Sequence, residues 1–403
     1  MKQLISFLVL CLSIFTSCTT TPLTPKTGRW LVTLDLEQTS LPFYLELNIS
    51  NSDTSAVIIN NAERIEVENV TIKLDSLHMY LPYFNSEFHG KVWKDNLIYG
   101  EWLNKAKGDS YIVPFKAEHK KEKFLFKNTP IQLVNKYKVT FGDSSDNYPA
   151  IALLEQKKNK VSGTFLTETG DYRFLDGYIN ADTLLLHAFD GAHAFTFTAE
   201  IKDNQLVNGK FYSGNHYSDV WNASPNDTFE LNDPYELTYL TDTINPFNFT
   251  FKNTYGTHVS LSDSMFESKV KIVQIMGTWC PNCMDETKYY TELYNKYKSK
   301  GLEIIALTYE MDTIFKNNVK RIKKYKKETG ADYTFLIAGK ANKQLTSESL
   351  PQLNKIISYP TSLFIDKTGK VVKIHTGFYG PGTGDNYTKY KKQTESLLET
   401  LLQ

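Results

Sequence analysis

The sequence predicts a multidomain chain in which an all-β region, sandwich or barrel-like, precedes an α/β unit. Three observations carry this. From about Trp30 to Tyr239, apolar residues recur mostly with a period of two between turn-rich punctuation. Near residue 240 the pattern changes, and the nearly continuous apolar run KVKIVQIM (269–276) is followed by apolar positions at helical spacing. The chain is 403 residues long with 41% hydrophobic residues, which is globular and leaves room for two or three cores. Its 45 Lys+Arg balance 45 Asp+Glu, so nothing recommends a nucleic-acid partner, which would ask for a surplus of cations.

The four cysteines fall into two unrelated pairs. Cys11 and Cys18 belong to a leader. Lys2 precedes a mostly apolar run from Leu4 to Phe15, too short to span a bilayer as a helix. It ends in Phe15-Thr16-Ser17-Cys18, which is similar to the lipobox of bacterial lipoproteins, although Phe15 replaces the usual Leu. That resemblance implies a signal peptide over residues 1–17, a lipid on Cys18 and a tether over 18–27, whose Thr and Pro offer no core. An ordinary signal peptide cut near residues 17–20 is the alternative. Either reading puts the chain outside the reducing cytosol.

The β-rich region, 28–240, shows candidate strands at Trp30 to Leu36, Phe43 to Ile49, Ala56 to Ile58, Glu66 to Leu74, Ser162 to Leu166, Tyr172 to Ile179, Thr183 to Phe189, Ala194 to Ile201 and Gln205 to Phe211. Turn sequences such as Asn180-Ala181-Asp182 and Lys202-Asp203-Asn204 separate them. Its aromatics, among them Phe124, Phe126, Phe165, Phe174, Tyr178, Phe197, Tyr212 and Trp221, read as inward-facing core. The histidine pairs His187/His193 and His78/His89 could meet across strands, but without clustered Cys or carboxylates they read as hydrogen-bonded histidines rather than a metal site. The run Lys157 to Lys160 reads as a solvated turn, and no motif names a role for the region.

In the second unit, 241–403, the buried strand of the 269–276 run is followed by Gly277-Thr278-Trp279-Cys280-Pro281-Asn282-Cys283, then by Tyr290, Leu293, Tyr294 and Tyr297 at helical spacing. Cys280 therefore sits at a helix N-terminus, with Pro281 in the first turn. Free amide donors and the helix dipole there favour a thiolate, making Cys280 the attacking sulfur. Cys283, nearly one turn on and deeper, can resolve the mixed disulfide that forms. A structural zinc half-site or an inert disulfide remain as alternatives; a zinc site would need further ligands the mature chain lacks among its cysteines.

The string MGTWCPNC in this setting resembles the TlpA/ResA group of thiol:disulfide oxidoreductases, with a thioredoxin-like fold for residues 241–403, and with the leader the whole is similar to a Bacteroidota-type lipoprotein. The resemblance implies a strand at Leu302 to Thr308, a helix at Ile314 to Glu328, an added strand at Asp332 to Ile337, a further helix at Gln344 to Ile356, a hairpin of Ser362 to Ile365 with Lys370 to His375, and a final helix from about Tyr387 to Leu402. It implies a cis Pro360 facing the cysteines, flanked by Tyr359 and Thr361, with Gly377 near the site; a noncatalytic turn at Pro360 is the alternative. Gln274 stands where many thioredoxins carry a buried Asp, and it cannot take a proton. Glu286 matches an acidic position of the group and becomes the proton acceptor of choice, along with Asp285, unless both are solvent-exposed charges at a helix N-terminus. Lys288 stands near the position of a helix-kinking proline, which implies a straighter helix.

The basic run Lys316 to Lys327 has Phe315, Val319, Ile322 and Tyr325 at helical spacing and reads as the solvated face of an amphipathic helix. GFYGPGTG (377–384) lacks the arrangement of a phosphate loop. The resemblance thus implies an enzyme without cofactor or metal, lipid-anchored on the periplasmic side of a bacterial membrane. It would reduce disulfides of envelope clients, with apocytochrome c among the family's clients, and draw on a membrane thiol donor. A thiol-dependent peroxidase, or a binding lipoprotein whose β-rich part carries the main role, are the other classes.

Overall fold

A computed structural model describes residues 23–50, 53–119, 130–143, 145 and 147–403. Cys18 and the leader, with Phe124 and Phe126, lie outside the described residues.

The β-rich region contains two nine-stranded antiparallel sheets, each with its own core. In the first, Gly28–Asp35 and Ile112–His119 sit at the centre, and Glu63–Val67 and Asn69–Lys73 form the two edges. The run Glu66 to Leu74, which reads as one strand, is therefore two strands at opposite ends of the sheet, broken at Glu68. Alternation supplies the core: Trp30, Val32 and Leu34 point inward from the first strand, and Phe43, Leu45 and Leu47 from the second.

In the second sheet, Tyr148–Lys157 pairs with Lys136–Phe141 on one side and with Lys160–Thr167 on the other. Through Lys160–Thr167 and Leu175–Asn180 the sheet closes into an eight-stranded barrel, with Gly170–Asp171 folded back on Lys160–Thr167. Sequence left sandwich and barrel open; the ring of pairings makes this sheet a barrel, filled by Phe141, Phe165, Phe197, Phe211 and Trp221. Phe174, Tyr178 and Tyr212 do not join that filling: Tyr178 and Tyr212 fall on the alternate, half-buried face of their strands, and Phe174 lies half-buried in the segment before Leu175. The strand expected from Tyr172 starts only at Leu175, because Arg173 turns the chain with φ +61°.

Phe189 leaves the barrel to pack in the first sheet's core, stacked on Phe43 at 4.5 Å and edge-on to Trp102 at 5.0 Å. The Asn60 side chain accepts from the Phe189 N–H and donates to its carbonyl, so the two β units are joined by apolar burial and by paired backbone groups.

The C-terminal unit has a seven-stranded sheet in the order His258–Ser260, Thr250–Asn253, Thr334–Lys340, Leu302–Glu310, Val270–Met276, Thr361–Ile365 and Val371–Thr376. Val270–Met276, Leu302–Glu310 and Thr334–Lys340 run parallel, and Thr361–Ile365 is antiparallel to Val270–Met276. All seven residues of Val270–Met276 are buried, as a central strand covered on both faces requires. Helices α1 (Pro281–Tyr297), α2 (Phe315–Thr329), α3 (Lys343–Ser349) and α4 (Asp385–Leu402) complete the unit, a thioredoxin-like fold.

The helix expected to reach Ile356 stops at Ser349, because Leu350 precedes Pro351, whose ring disfavours helical backbone in the residue before it. In α2 the buried residues are Asn318, Ile322 and Tyr325, whereas Phe315 is exposed. Arg321 is not simply solvated, since it pairs with the buried Glu310. Upstream of the unit, the chain already docks on it: the Thr376 N–H donates to the Pro234 carbonyl and Tyr235 stacks edge-on to His375. Among the described residues no helix is long and apolar enough to cross a membrane.

Candidate active site

The buried strand Val270–Met276 delivers the chain to Gly277, and the turn that follows caps α1. Cys280 is the N-cap residue with extended backbone, and Pro281 occupies the first helical turn. The Cys280 Sγ accepts the Cys283 N–H at 3.3 Å and lies 3.5 Å from the Tyr359 carbonyl, to which its thiol donates. Both cysteines are free thiols; Cys280 retains 7% exposure and Cys283 none. Burial pushes the Cys283 thiol well up, and the neighbouring Cys280 sulfur adds to it. The deep sulfur thus keeps its proton until Cys280 has reacted, which is the order a two-step exchange needs.

The Tyr359–Pro360 peptide is cis, and Thr361 is fully buried, its hydroxyl donating to the Ser358 carbonyl. Trp279 is fixed by its indole N–H on the Tyr309 carbonyl at 2.9 Å and stands edge-on to Tyr359, ring centres 5.7 Å apart. The Gly377 N–H donates to the Pro360 carbonyl. Its φ of +77° is the left-handed region that suits glycine.

Below the dithiol, Glu286 and Asp285 are both buried, so their reading as solvent-exposed helix charges is corrected. Glu286 is enclosed by Gln274 and Ser362 of the sheet and by Tyr390 of α4. Its Oε2 accepts from Gln274 at 2.9 Å, and its Oε1 from Ser362 at 3.1 Å and Tyr390 at 3.3 Å. Burial raises its pKa from 4.5 to about 7, against the pull of these hydrogen bonds. Gln274 also accepts the Thr287 hydroxyl. It cannot take a proton, but it positions a carboxylate that can.

Asp285 turns the other way, toward the β units. It pairs with Arg173 of the barrel, which also pairs with Glu63 of the first sheet, and the Arg173 Nε lies 3.3 Å from Asp190. Burial opposes the guanidinium's charge, but Asp285, Glu63 and Asp190 outweigh it and hold Arg173 firmly protonated. Lys288, noted in the sequence only for a missing proline, lies over the Tyr83 ring of the first sheet at 4.4 Å. The sequence reading missed Arg173, Ser362 and Tyr390. A lone Arg after two turn residues carries no local signal, and the other two reach the site through strand and helix packing.

His78 and His89 are directly opposite across two strands with rings 4.6 Å apart, and His193 bonds Asp190. Among the described residues no group of three His, Cys, Asp or Glu side chains could hold a metal. A cavity of about 360 Å³ opens on the barrel beside Tyr148, Lys210, Tyr217 and Asp219, away from the dithiol.

The geometry is that of a dithiol at a helix start on a thioredoxin-like sheet, and the Redoxin family model matches residues 241–390. This region is a Redoxin domain. Relatives include the thiol-disulfide oxidoreductase ResA of Bacillus thuringiensis, 36% identical over 127 residues, or 31% of this chain, and ResA of Bacillus subtilis, 28% identical over 130 residues, or 32% of this chain. The chain spans 64% of the length of each of these relatives. Among solved structures, a putative thiol:disulfide interchange protein DsbE from Chlorobium tepidum is similar at 22% identity and TM-score 0.32, covering 41% of this chain and all of that one. The C-terminal domain of a putative thiol-disulfide oxidoreductase from Bacteroides thetaiotaomicron is similar at 16% identity and TM-score 0.29, covering 40% of this chain and 95% of that one. The Redoxin domain holds Cys280, Cys283, Glu286 and Pro360 together, while the pairing of Asp285 reaches outside it.

Proposed function

We propose that this protein is a thiol:disulfide oxidoreductase of the bacterial envelope that reduces disulfides of client proteins through Cys280 and Cys283. It is held on the periplasmic side of a membrane by lipid on Cys18. The observation that carries this reading is the free dithiol itself, with one sulfur at the α1 N-cap and the other buried one turn on. The Redoxin match and the ResA relatives support it.

In the forward reaction the Cys280 thiolate attacks one client sulfur, and the client's other sulfur leaves as a thiolate and takes a proton. Cys283 then loses its proton and attacks the Cys280 sulfur, which forms the Cys280–Cys283 disulfide and releases the first client sulfur as a thiolate. The client gains two electrons and the dithiol loses two. Glu286, with a pKa near neutrality, receives the Cys283 proton directly or through water. A membrane thiol donor restores the dithiol, and apocytochrome c cysteines are among the clients this chemistry suits.

The test is a Cys283→Ala variant expressed in full-length form in its own envelope. It should accumulate mixed disulfides through Cys280 that reductant releases, and Cys280→Ser should accumulate none. Equal recovery from both variants would overturn the reading. Loss of membrane association in Cys18→Ala checks the anchor.

A further inference from the structure

Three chain segments surround the Cys280 sulfur: the active-site turn, the stretch before Pro360, and the loop after Gly377. All three are bound by one turn of the β-barrel. The Asn282 side chain donates to the Asp171 carbonyl at 3.2 Å, the Ser358 hydroxyl donates to the Thr169 carbonyl at 2.6 Å, and the Tyr379 hydroxyl donates to the Thr167 carbonyl at 3.0 Å. The Gly380 N–H donates to the Asp171 carboxylate at 2.6 Å. Contact is close enough that a Cβ on Gly377 would lie 3.0 Å from the Glu168 carbonyl oxygen, and one on Gly170 would lie 2.5 Å from the Asn282 amide. Thr169 itself remains exposed at the rim.

At the end of this turn stands Arg173, whose pairs with Glu63, Asp190 and Asp285 tie both β units to α1. Its Nη1 also reaches the Pro281 carbonyl at 3.4 Å. Removing one partner of a buried hydrogen bond or ion pair leaves the other desolvated and unpaired, so the turn is held in place rather than resting on the surface. One side of the approach to Cys280 is therefore closed by the barrel. The remaining side is flanked by the rings of Trp279 and Tyr359.

We propose that the Thr167–Arg173 turn is a client-selecting wall. It admits disulfides carried on thin, flexible polypeptide segments entering past Trp279 and Tyr359, and it keeps disulfides on folded surfaces from the Cys280 sulfur. Arg173 is the positioning residue that holds the wall against α1. The inference rests on the thiol:disulfide exchange reading above.

The test compares three substrates on the full chain: a small aromatic disulfide reagent, a flexible disulfide-bridged peptide, and a folded protein with one surface disulfide. The unsubstituted protein is expected to reduce the peptide at least tenfold more efficiently, in kcat/KM, than the folded protein. Thr169→Trp adds bulk at an exposed rim position and should lower the peptide-to-reagent ratio of kcat/KM at least threefold, through KM. Arg173→Lys, which cannot fork to three carboxylates, should narrow the gap between peptide and folded protein at least threefold; a purely structural role would scale all three rates together. Failure to reduce even the small reagent would overturn the exchange reading itself. Reduction of the reagent with equal rates on peptide and folded protein, or ratios within twofold of the unsubstituted protein in both variants, would overturn the wall alone.

Discussion

Replacing Glu286 by Gln should remove a pH dependence that the carboxyl group builds into the fold. The carboxyl is fully buried and its pKa is raised from 4.5 to about 7. Each pH unit of that displacement corresponds to about 1.4 kcal/mol, so the group accounts for about 3 kcal/mol. The sign follows from proton counting. Between these two values the folded chain binds the proton and the unfolded chain has released it, so unfolding free energy falls as pH rises. The contribution is fully present below about pH 4.5 and is lost as pH rises through about 7. Other titrating groups are common to both proteins and cancel in the difference.

Gln keeps the side chain's shape, and the amide of Gln274 and the hydroxyls of Ser362 and Tyr390 can reorient toward it. Urea denaturation of the reduced proteins between pH 5 and 8.5 reads the effect. The unsubstituted protein should lose about 2–3 kcal/mol more than Glu286→Gln over that interval. The variant should also slow the second exchange step, read as longer-lived mixed disulfide, because Cys283 then lacks its nearby acceptor. Parallel stability curves, within about 0.5 kcal/mol at every pH, would refute the assignment of a near-neutral pKa to Glu286, and with it the carboxyl's role as proton acceptor.

Two further outcomes concern the joint. Arg173→Ala leaves Glu63, Asp190 and Asp285 in a buried site without their cation, and should destabilise by about 3–5 kcal/mol at pH 7.5; calorimetry should find a smaller deficit at pH 5, because burial already raises the Asp285 carboxyl and losing the guanidinium raises it further, so that it takes a proton more readily in acid, and an equal deficit at both would contradict the account. Gly377→Ala places a side chain at φ +77° against the backbone of Glu168 and Thr169. It should cost about 1–3 kcal/mol and speed amide hydrogen exchange across residues 167–171, whereas unchanged exchange there would mean that the contact is not a tight one.

How far the sequence could be read depended on the range of the interactions involved. The dithiol, the strand before it and the helix after it follow from spacing within short windows, because a buried strand and a capped helix each have a local signature; the strands from Leu302 to Thr376 were implied by resemblance. The burial of Gln274 was implied by its strand and by resemblance, but that of Glu286 was not. Charges near the start of a helix are ordinarily solvated, and what helps to enclose Glu286 is Tyr390, over one hundred residues away. In the β-rich region alternation found individual strands, yet the same alternation fits open and closed sheets. Closure depends on Tyr148–Lys157 pairing on both sides, and the break at Glu68 that sends two short strands to opposite edges has no turn motif to announce it.

The Arg173 cluster alters what the C-terminal unit is. Read alone, residues 241–403 look self-sufficient, with their own sheet, core and cysteines. Yet Asp285, two residues from Cys283, has its counter-charge in the barrel, and Asn282, between the two cysteines, spends its amide on the barrel's Asp171. Cutting the chain at residue 241 would hydrate Asp285, free Asn282 and open the side of the dithiol that the Thr167–Arg173 turn closes. Charge and access near the attacking sulfur are what set exchange rates. The reactivity of such a fragment would therefore differ from that of the full chain even with every residue of the Redoxin domain in place, and the β units are part of the site's chemistry rather than a spacer before it.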